Sequence, residues 1–327
     1  MTASSNPCGP ALLRWSAQGV PDNWTRLAVA YSAGADSTAL LLEARALWPG
    51  QVVALHVHHG LQSAADAFEV TARTTCAGLD VPLHVAHVRA MPARGQSPED
   101  AARVQRYRAL ADLARASRVG VVLLAHHADD QAETLMLALS RGAGLPGLAA
   151  MPGRFERHGM HFARPLLEVP ASALRAWVEA RGVLFADDPS NADTRYTRNR
   201  IRQALMPAWD ACFPGFRPML ARSARHAAEA QGLLDDLARI DLVSVGEPPS
   251  ITALQVLGRE RQANVLRHWL RVGWGVAPTT AQMEQVLDQV AACRTRGHRI
   301  KLKVADGTLS RSGGHLAFDR AGGTAPI

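Results

Sequence analysis

Lysine is almost missing from this 327-residue chain. Of its 36 lysine and arginine residues only Lys301 and Lys303 are lysine, so no Walker A lysine can reach β/γ-phosphates and no Schiff-base lysine stands near the N-terminal motifs. Cysteine is scarce too. Cys8, Cys76, Cys212 and Cys293 are scattered, with no C-x-x-C pair, which argues against a zinc site or an iron–sulfur cluster and fits a reducing compartment. No apolar run approaches membrane-spanning length. Residues 1–20 lack a basic n-region, and Pro7, Gly9 and Pro10 break any leader-like core. A cytoplasmic protein with no membrane partner is expected.

Hydrophobic residues make up 47% and charged residues 20%, the balance of a globular chain long enough for two domains. The formal net charge is +7, which favours a polyanionic partner, nucleic acid first. Because nearly every cation is arginine, bidentate phosphate contacts are available.

The most informative stretch is Ala28-Val29-Ala30-Tyr31-Ser32-Ala33-Gly34-Ala35-Asp36-Ser37-Thr38. Residues 27–31 read as a buried strand and 37–47 as a helix, with a tight turn between them. That turn aims backbone N–H groups and the positive end of a helix dipole at one point, a nest for phosphate. An ordinary strand-to-helix turn capped by Asp36 or Ser37 is the plainer reading. Alanine at 33 is tolerable only if that position does not need a positive φ.

Further strands read at 51–57, 81–88 and 120–125, with helices between them at 64–77 and 98–118. Such alternation predicts βαβ units and a parallel sheet, with ligands beyond the carboxyl ends of the strands. Ser32, His58 and His126 each fall at such an end and should converge. Ser97-Pro98-Glu99-Asp100 is a helix start, and Glu99, Arg103, Arg106 and Tyr107 share one face of that helix. Here a Glu99–Arg103 surface pair is the plainer reading. His126-His127-Ala128-Asp129-Asp130-Gln131-Ala132-Glu133, if helical, puts His126, Asp130 and Glu133 on one stripe. Two carboxylates and an imidazole there can hold Mg²⁺ or a cationic ligand, or simply suit the helix dipole.

Residues 140–148 are glycine-rich, a lid or a connecting loop. Residues 162–167 read as a short edge strand ended by Pro165, 171–181 as a helix and 187–191 as a turn. Arg195, Arg198, Arg200 and Arg202 then form a basic cluster, either a nucleic-acid contact or a solvated face. A boundary is expected at 214–218, giving domains 1–216 and 245–327 joined by a linker helix over 217–244. Later helices read at 257–272 and 279–293. A hairpin follows in which Ile300, Leu302 and Val304 alternate with Arg299, Lys301 and Lys303, turning at Asp306-Gly307. Like charges on one strand face repel one another, and a phosphate backbone would relieve that.

The turn at 32–37 resembles the pyrophosphate loop (S-G-G-x-D-S) of the N-type ATP pyrophosphatases, with Ala33 as the departure. With H-V-H-H-G-L-Q (56–62), E-D-A-A-R-V-Q-R-Y (99–107), H-H-A-D-D-Q-A-E-T (126–134), R-G-A-G-L-P-G-L (141–148), R-P-L-L (164–167) and D-P-S-N…Y-T-R-N-R-I-R (188–202), the chain is similar to the tRNA(Ile)-lysidine synthetases over residues 25 to 210. The C-terminal part resembles that family's first C-terminal domain more loosely, which implies a short form without a second one. The resemblance implies an α/β fold: a parallel five-stranded Rossmann-like sheet of the adenine nucleotide alpha hydrolase type, flanked by helices, plus a smaller α+β C-terminal domain that binds tRNA.

It also implies that ATP adenylates the wobble cytidine of the CAU-anticodon tRNA(Ile) and that free L-lysine then displaces AMP, so the anticodon reads AUA instead of AUG. ATP would lie on Ser32, Ala33, Gly34, Ala35, Asp36, Ser37 and His58, with Mg²⁺ on Asp36, Asp130 and Glu133. Asp36, Arg106, His126, Asp130 and Glu133 would serve catalysis; Arg195, Arg198, Arg200, Arg202, Arg299, Lys301 and Lys303 would meet tRNA. A homodimer is compatible with the sequence. The competing readings are another pyrophosphate-loop enzyme such as a tRNA thiolase, and a nucleotide- or RNA-binding protein without chemistry.

Overall fold

Short runs dominated by Val, Leu and Ala form the central strands, the composition of a sheet covered on both faces. The structure, a computed structural model, describes residues 6–19, 25–58, 64–88, 98–187, 193–295 and 297–320. The chain divides into two compact units, Met1–His226 and Ala227–Ile327.

The first unit runs α1 (Gly9–Ala17), β1 (Leu27–Ala30), α2 (Ala35–Leu47), β2 (Val52–His58), α3 (Ala64–Gly78), β3 (Leu83–His87), α4 (Pro98–Ala116), β4 (Val121–Leu123), α5 (Ala128–Ser140), α6 (Leu145–Leu148), β5 (Arg154–Arg157), β6 (Met160–Ala163), α7 (Ala171–Glu179) and α8 (Thr197–Arg200). A π-helical turn (Ile201–Leu205) then leads into α9 (Met206–Cys212). The sheet order is β3-β2-β1-β4-β6-β5. The first five of these are parallel to their neighbours, and β5 pairs antiparallel with β6.

Side-chain alternation along these strands builds two cores. Leu27, Val29, Val52, Ala54, Val121 and Leu123 face helices α1, α2 and α7 through Leu12, Trp15, Leu40, Leu41, Leu174 and Trp177. Ala28, Val53, Leu55 and Val122 face α4 through Tyr107, Leu110 and Ala114. The five expected parallel strands are therefore present, and β5 is an addition that moves the Phe162 strand off the edge. Its sequence Arg-Phe-Glu-Arg buries little, which is why it reads as a loop. His158 and Gly159 both take positive φ (54° and 66°), as a two-residue hairpin turn requires.

Helix α10 (Phe216–Val245) is one thirty-residue helix that crosses the division between the units. The second unit continues with α11 (Ile251–Leu254), α12 (Arg259–Trp274), α13 (Thr280–Ala292), β7 (Lys301–Val304), β8 (Gly307–Ser312) and β9 (His315–Arg320). Helix α12 ends on left-handed Gly275, and Thr279 with Gln282 makes a capping box for α13. The core joins Leu266, Trp269, Leu270, Met283, Val286 and Leu287 to Val304, Leu309, Leu316 and Phe318. The β7–β8 turn falls one residue earlier than expected, on Ala305-Asp306, because Gly307 already pairs with Val304. Gly307 serves packing instead: a Cβ there would lie 2.3 Å from the Phe318 ring.

Candidate active site

Beyond β1 the chain turns through Ser32, Ala33 and Gly34 into α2. Ser32 Oγ lies 3.0 Å from Ser37 Oγ, and Ser37 and Thr38 both donate side-chain hydrogen bonds to the Gly34 carbonyl at 3.0 and 2.9 Å. The turn is thus held open by its own hydroxyls. The N–H groups of Ala35, Asp36 and Ser37, in the first helical turn, have no intrahelical acceptor. Ala33 does take a positive φ, 66°, contrary to the condition under which alanine is comfortable there. An L-residue in this region costs about 1–2 kcal/mol. The cost is offset because its methyl is fully buried in the core and its carbonyl accepts from Ala186 N–H at 2.8 Å. Gly34 has an ordinary φ of −78°; its lack of a side chain leaves the mouth of the turn open rather than relieving strain.

The second wall is α5. It starts at Ala128, two residues later than a stripe containing His126 would need, because His127 is extended and caps the helix. Asp130 N–H donates to His127 Nδ1, and Asp130 Oδ2 accepts from His127 N–H, a reciprocal box. The cap turns His127 Nε2 toward two carboxylates, 3.5 Å from Asp36 Oδ2 and 3.4 Å from Asp130 Oδ2. Burial alone would lower the His127 pKa, but Asp36, Asp130 and Asp129 outweigh it and raise it. The turn at 32–37 and the acidic helix therefore open onto one place.

Glu133, one turn further along α5, is fully buried and accepts from Arg202 Nε at 2.7 Å; Arg202 also reaches Asp130 Oδ1 at 3.4 Å. Burial raises the Glu133 pKa against the pull of Arg202. Its other oxygen, Oε2, is buried without a hydrogen-bond partner. Such an oxygen costs about 1–3 kcal/mol unless a ligand supplies a donor. Asp129, 3.9 Å from His127 Nδ1, is held by other partners: it accepts from Arg217 Nε at 2.5 Å and from Ala171 N–H, which fixes the α5 entry.

His126 stands just before the cap. Arg164 Nε donates to its Nδ1 at 3.2 Å. Burial and then the charges of Arg164 and Arg106 push its pKa down to about 3, so it is neutral at physiological pH. Arg164 also donates to Tyr107 Oη and to the Pro152 carbonyl and stacks over Phe155 at 4.2 Å. Arg106 is half-buried on α4, beside Tyr107, and burial weighs against its charge. The site thus has an acidic side, at Asp36, Asp130 and Glu133, and a cationic side, at Arg106 and Arg164. The Glu99 side chain lies outside the described residues.

Not every expected residue joins this cluster. His58, at the end of β2, pairs with Asp66 at 3.0 Å. Asp36, Asp130 and Glu133 do not bring their oxygens together as a three-residue metal set; among the described residues His58, Glu69 and His87 do. Of the arginine cluster, Arg202 turns inward to α5 and Arg198 lies 3.9 Å from Glu133. Arg195 is exposed beside Asp193, and Arg200 bonds to its own turn. In the second unit Arg299, Lys301 and Lys303 are all exposed. His127, Arg164 and Arg217 are the residues sequence reasoning passed over. For His127 the signal was the Asp three positions on; the arginine contacts are long-range and leave none.

Residues 14–209 match the PP-loop domain family, and residues 250–317 match the TilS substrate binding domain. A tRNA(Ile)-lysidine synthase of Polaromonas naphthalenivorans is 58% identical over 295 residues, 90% of each chain. The chain belongs to the tRNA(Ile)-lysidine synthase family. The synthase of Bordetella parapertussis is 43% identical over 84% of this chain and 83% of its own. That of Burkholderia pseudomallei is also 43% identical, over 84% of this chain and 58% of its own. The U34-tRNA thiolase NcsA of Methanococcus maripaludis shares the fold alone, with a TM-score of 0.55 at 15% identity over 64% of this chain and 74% of that one. No helix among the described residues is long and apolar enough to cross a membrane.

Proposed function

We propose that this chain is a PP-loop ligase that uses ATP to join free L-lysine to C2 of the wobble cytidine in the CAU-anticodon tRNA(Ile), changing its reading from AUG to AUA. The observation that carries the reading is the approach of Asp36 and Asp130 to the same His127 nitrogen. It supports a single site in which a phosphate cradle faces an acidic pocket.

In the first step the cytidine O2 attacks the α-phosphorus of ATP and pyrophosphate leaves. The turn at 32–37 receives the departing pyrophosphate on the first-turn N–H groups of α2. Arg106 stabilises negative charge developing on the α-phosphate. Asp36 and Asp130 fit Mg²⁺, which takes one or two carboxylates together with substrate phosphates; bound there it would neutralise phosphate charge. Glu133 does not join that ion, because its oxygens are not gathered with those of Asp36 and Asp130 as a three-residue set.

In the second step the ε-amino group of lysine attacks C2 and AMP departs, which adenylation permits because the oxygen alone is a poor leaving group. Asp130 and Glu133 bind the lysine ammonium. Two facts support this: the pair already holds the Arg202 guanidinium, Nε on Glu133 and an Nη on Asp130, and Glu133 Oε2 lacks a hydrogen-bond donor. Neutral His126, whose Nδ1 already accepts from Arg164, offers its Nε2–H as a hydrogen-bond donor to the adenylate without giving up a proton. The exposed Arg299, Lys301 and Lys303 meet the tRNA backbone, as do Arg195 and Arg200. The activity belongs to the cytoplasm, and a homodimer is compatible with it.

A thiolase is the weaker reading. All four cysteines are free, three are buried, and burial pushes the Cys8 and Cys76 thiols up to about 12. Incubation with ATP, labelled lysine and bulk tRNA tests the proposal. AMP release that depends on lysine, with label in tRNA, supports it; ADP release, or RNA binding without turnover, refutes it.

A further inference from the structure

His58 closes β2 and His87 closes β3. They are direct partners in the parallel register, so both imidazoles leave the same face of the sheet. Their rings lie 4.8 Å apart between centroids. Helix α3 covers that face and brings Asp66, Glu69 and Arg73, spaced three and four residues apart on one side of the helix, over the two rings.

We propose that His58, Glu69 and His87 form a site for a divalent transition metal of the zinc class, separate from the Asp36–Asp130 pair. One donor atom from each of the three lies within 4.8 Å of the other two. Glu69 Oε2 is 2.9 Å from His87 Nε2. Zinc–ligand bonds of about 2.0–2.2 Å place tetrahedral donors ~3.4 Å apart, so closure needs movements of about an ångström.

The surroundings favour a ligand set over a chance contact. Arg73 donates to Glu69 Oε1 through both Nε and an Nη, at 3.0 and 2.6 Å, so that oxygen is occupied and Oε2 is aimed at the imidazoles. A partner that fixes a ligand's orientation in this way is what metal sites use around their ligands. Asp66 Oδ1 sits 3.0 Å from His58 Nε2, placed to orient that ring or to serve as a fourth donor. Two imidazoles and a carboxylate suit zinc, cobalt or nickel rather than magnesium or calcium. The scarcity of paired cysteine excludes a thiolate zinc site, but this site needs no thiolate.

The test uses the full chain, freed of metal by chelation and dialysis. Titration with Co²⁺ followed by its visible d–d absorption, then displacement by Zn²⁺, reports geometry and stoichiometry together. One equivalent per chain is expected, displaced by Zn²⁺. His87→Gln and Glu69→Gln should each weaken Zn²⁺ binding by at least about ten-fold, with circular dichroism and melting midpoint unchanged. His87 is largely exposed, so its variant is expected to fold. Absence of a saturable single equivalent, or equal Zn²⁺ affinity in wild type and both variants, overturns the proposal.

Discussion

Asp36 and His127 meet: the carboxylate that opens α2 lies 3.5 Å from the imidazole that caps α5. Two strand-to-helix turns, ninety-one positions apart in the chain, are thereby joined at the carboxyl end of the sheet. Asp36→Asn keeps the shape and removes the charge. It should cut pyrophosphate release by about 100-fold or more while the melting midpoint moves by only a few degrees. Wild-type turnover in this variant would remove the loop from the site.

Glu133→Gln separates the two half-reactions. The variant keeps a hydrogen-bond acceptor but loses the charge that an ammonium would pair with. A charge-assisted hydrogen bond contributes about 1.5–3 kcal/mol, so the lysine KM should rise about ten- to 100-fold, with pyrophosphate release from ATP and tRNA little changed. A variant that loses pyrophosphate release and leaves the lysine KM alone would assign Glu133 to the nucleotide instead.

Ala33 offers a test through stability. Ala33→Gly relieves a left-handed alanine worth about 1–2 kcal/mol but removes a buried methyl worth about 0.8 kcal/mol and adds unfolded-state entropy of about 0.5–1 kcal/mol. The change in unfolding free energy should lie within about 1 kcal/mol of zero. Ala33→Val, a β-branched side chain at positive φ in a filled core, should cost several times that. Denaturant unfolding of both variants measures the difference; equal effects would show that the backbone there relaxes.

How much of this was legible beforehand follows from how far each signal reaches. The parallel strands were legible because each is a short apolar run closed by a turn; the expected convergence of Ser32, His58 and His126 was not met by His58, which pairs with Asp66 instead. Strand β5 was not, since Arg154, Glu156 and Arg157 look like a loop until Phe155 finds Phe162 and Tyr107. The helical stripe through His126 failed by one cap: extended His127 shifts the helix start and sends His126 to Arg164. Arg202 reads as a surface cation in sequence and is an internal partner of Glu133 across sixty-nine positions. Local spacing cannot announce such a contact.

His126 has a pKa lowered to about 3 from an ordinary 6.5. Between those values the unfolded chain binds a proton that the folded site refuses. The stabilisation is therefore complete above pH 6.5 and is lost as pH falls toward 3, with a slope of up to about 1.4 kcal/mol per pH unit. Denaturant midpoints at pH 7.5 and pH 5 should differ less in His126→Asn than in the wild type. An identical difference in both would mean that His126 titrates normally.

Reversing Arg299, Lys301 and Lys303 to Glu should weaken tRNA binding and flatten its dependence on salt, each lost phosphate contact removing nearly one unit of slope. The three side chains are exposed, so the fold should survive. Lysine on an edge strand also guards against strand pairing, and an unchanged salt slope with new aggregation would assign these residues that role.

The most direct test withholds lysine. ATP with α-phosphate label and CAU-anticodon tRNA(Ile) should give pyrophosphate release matched by adenylate retained on the RNA, and later addition of lysine should discharge that adenylate as AMP while lysine enters the tRNA. Label that never enters RNA, or lysine that becomes adenylated in its place, would contradict the account.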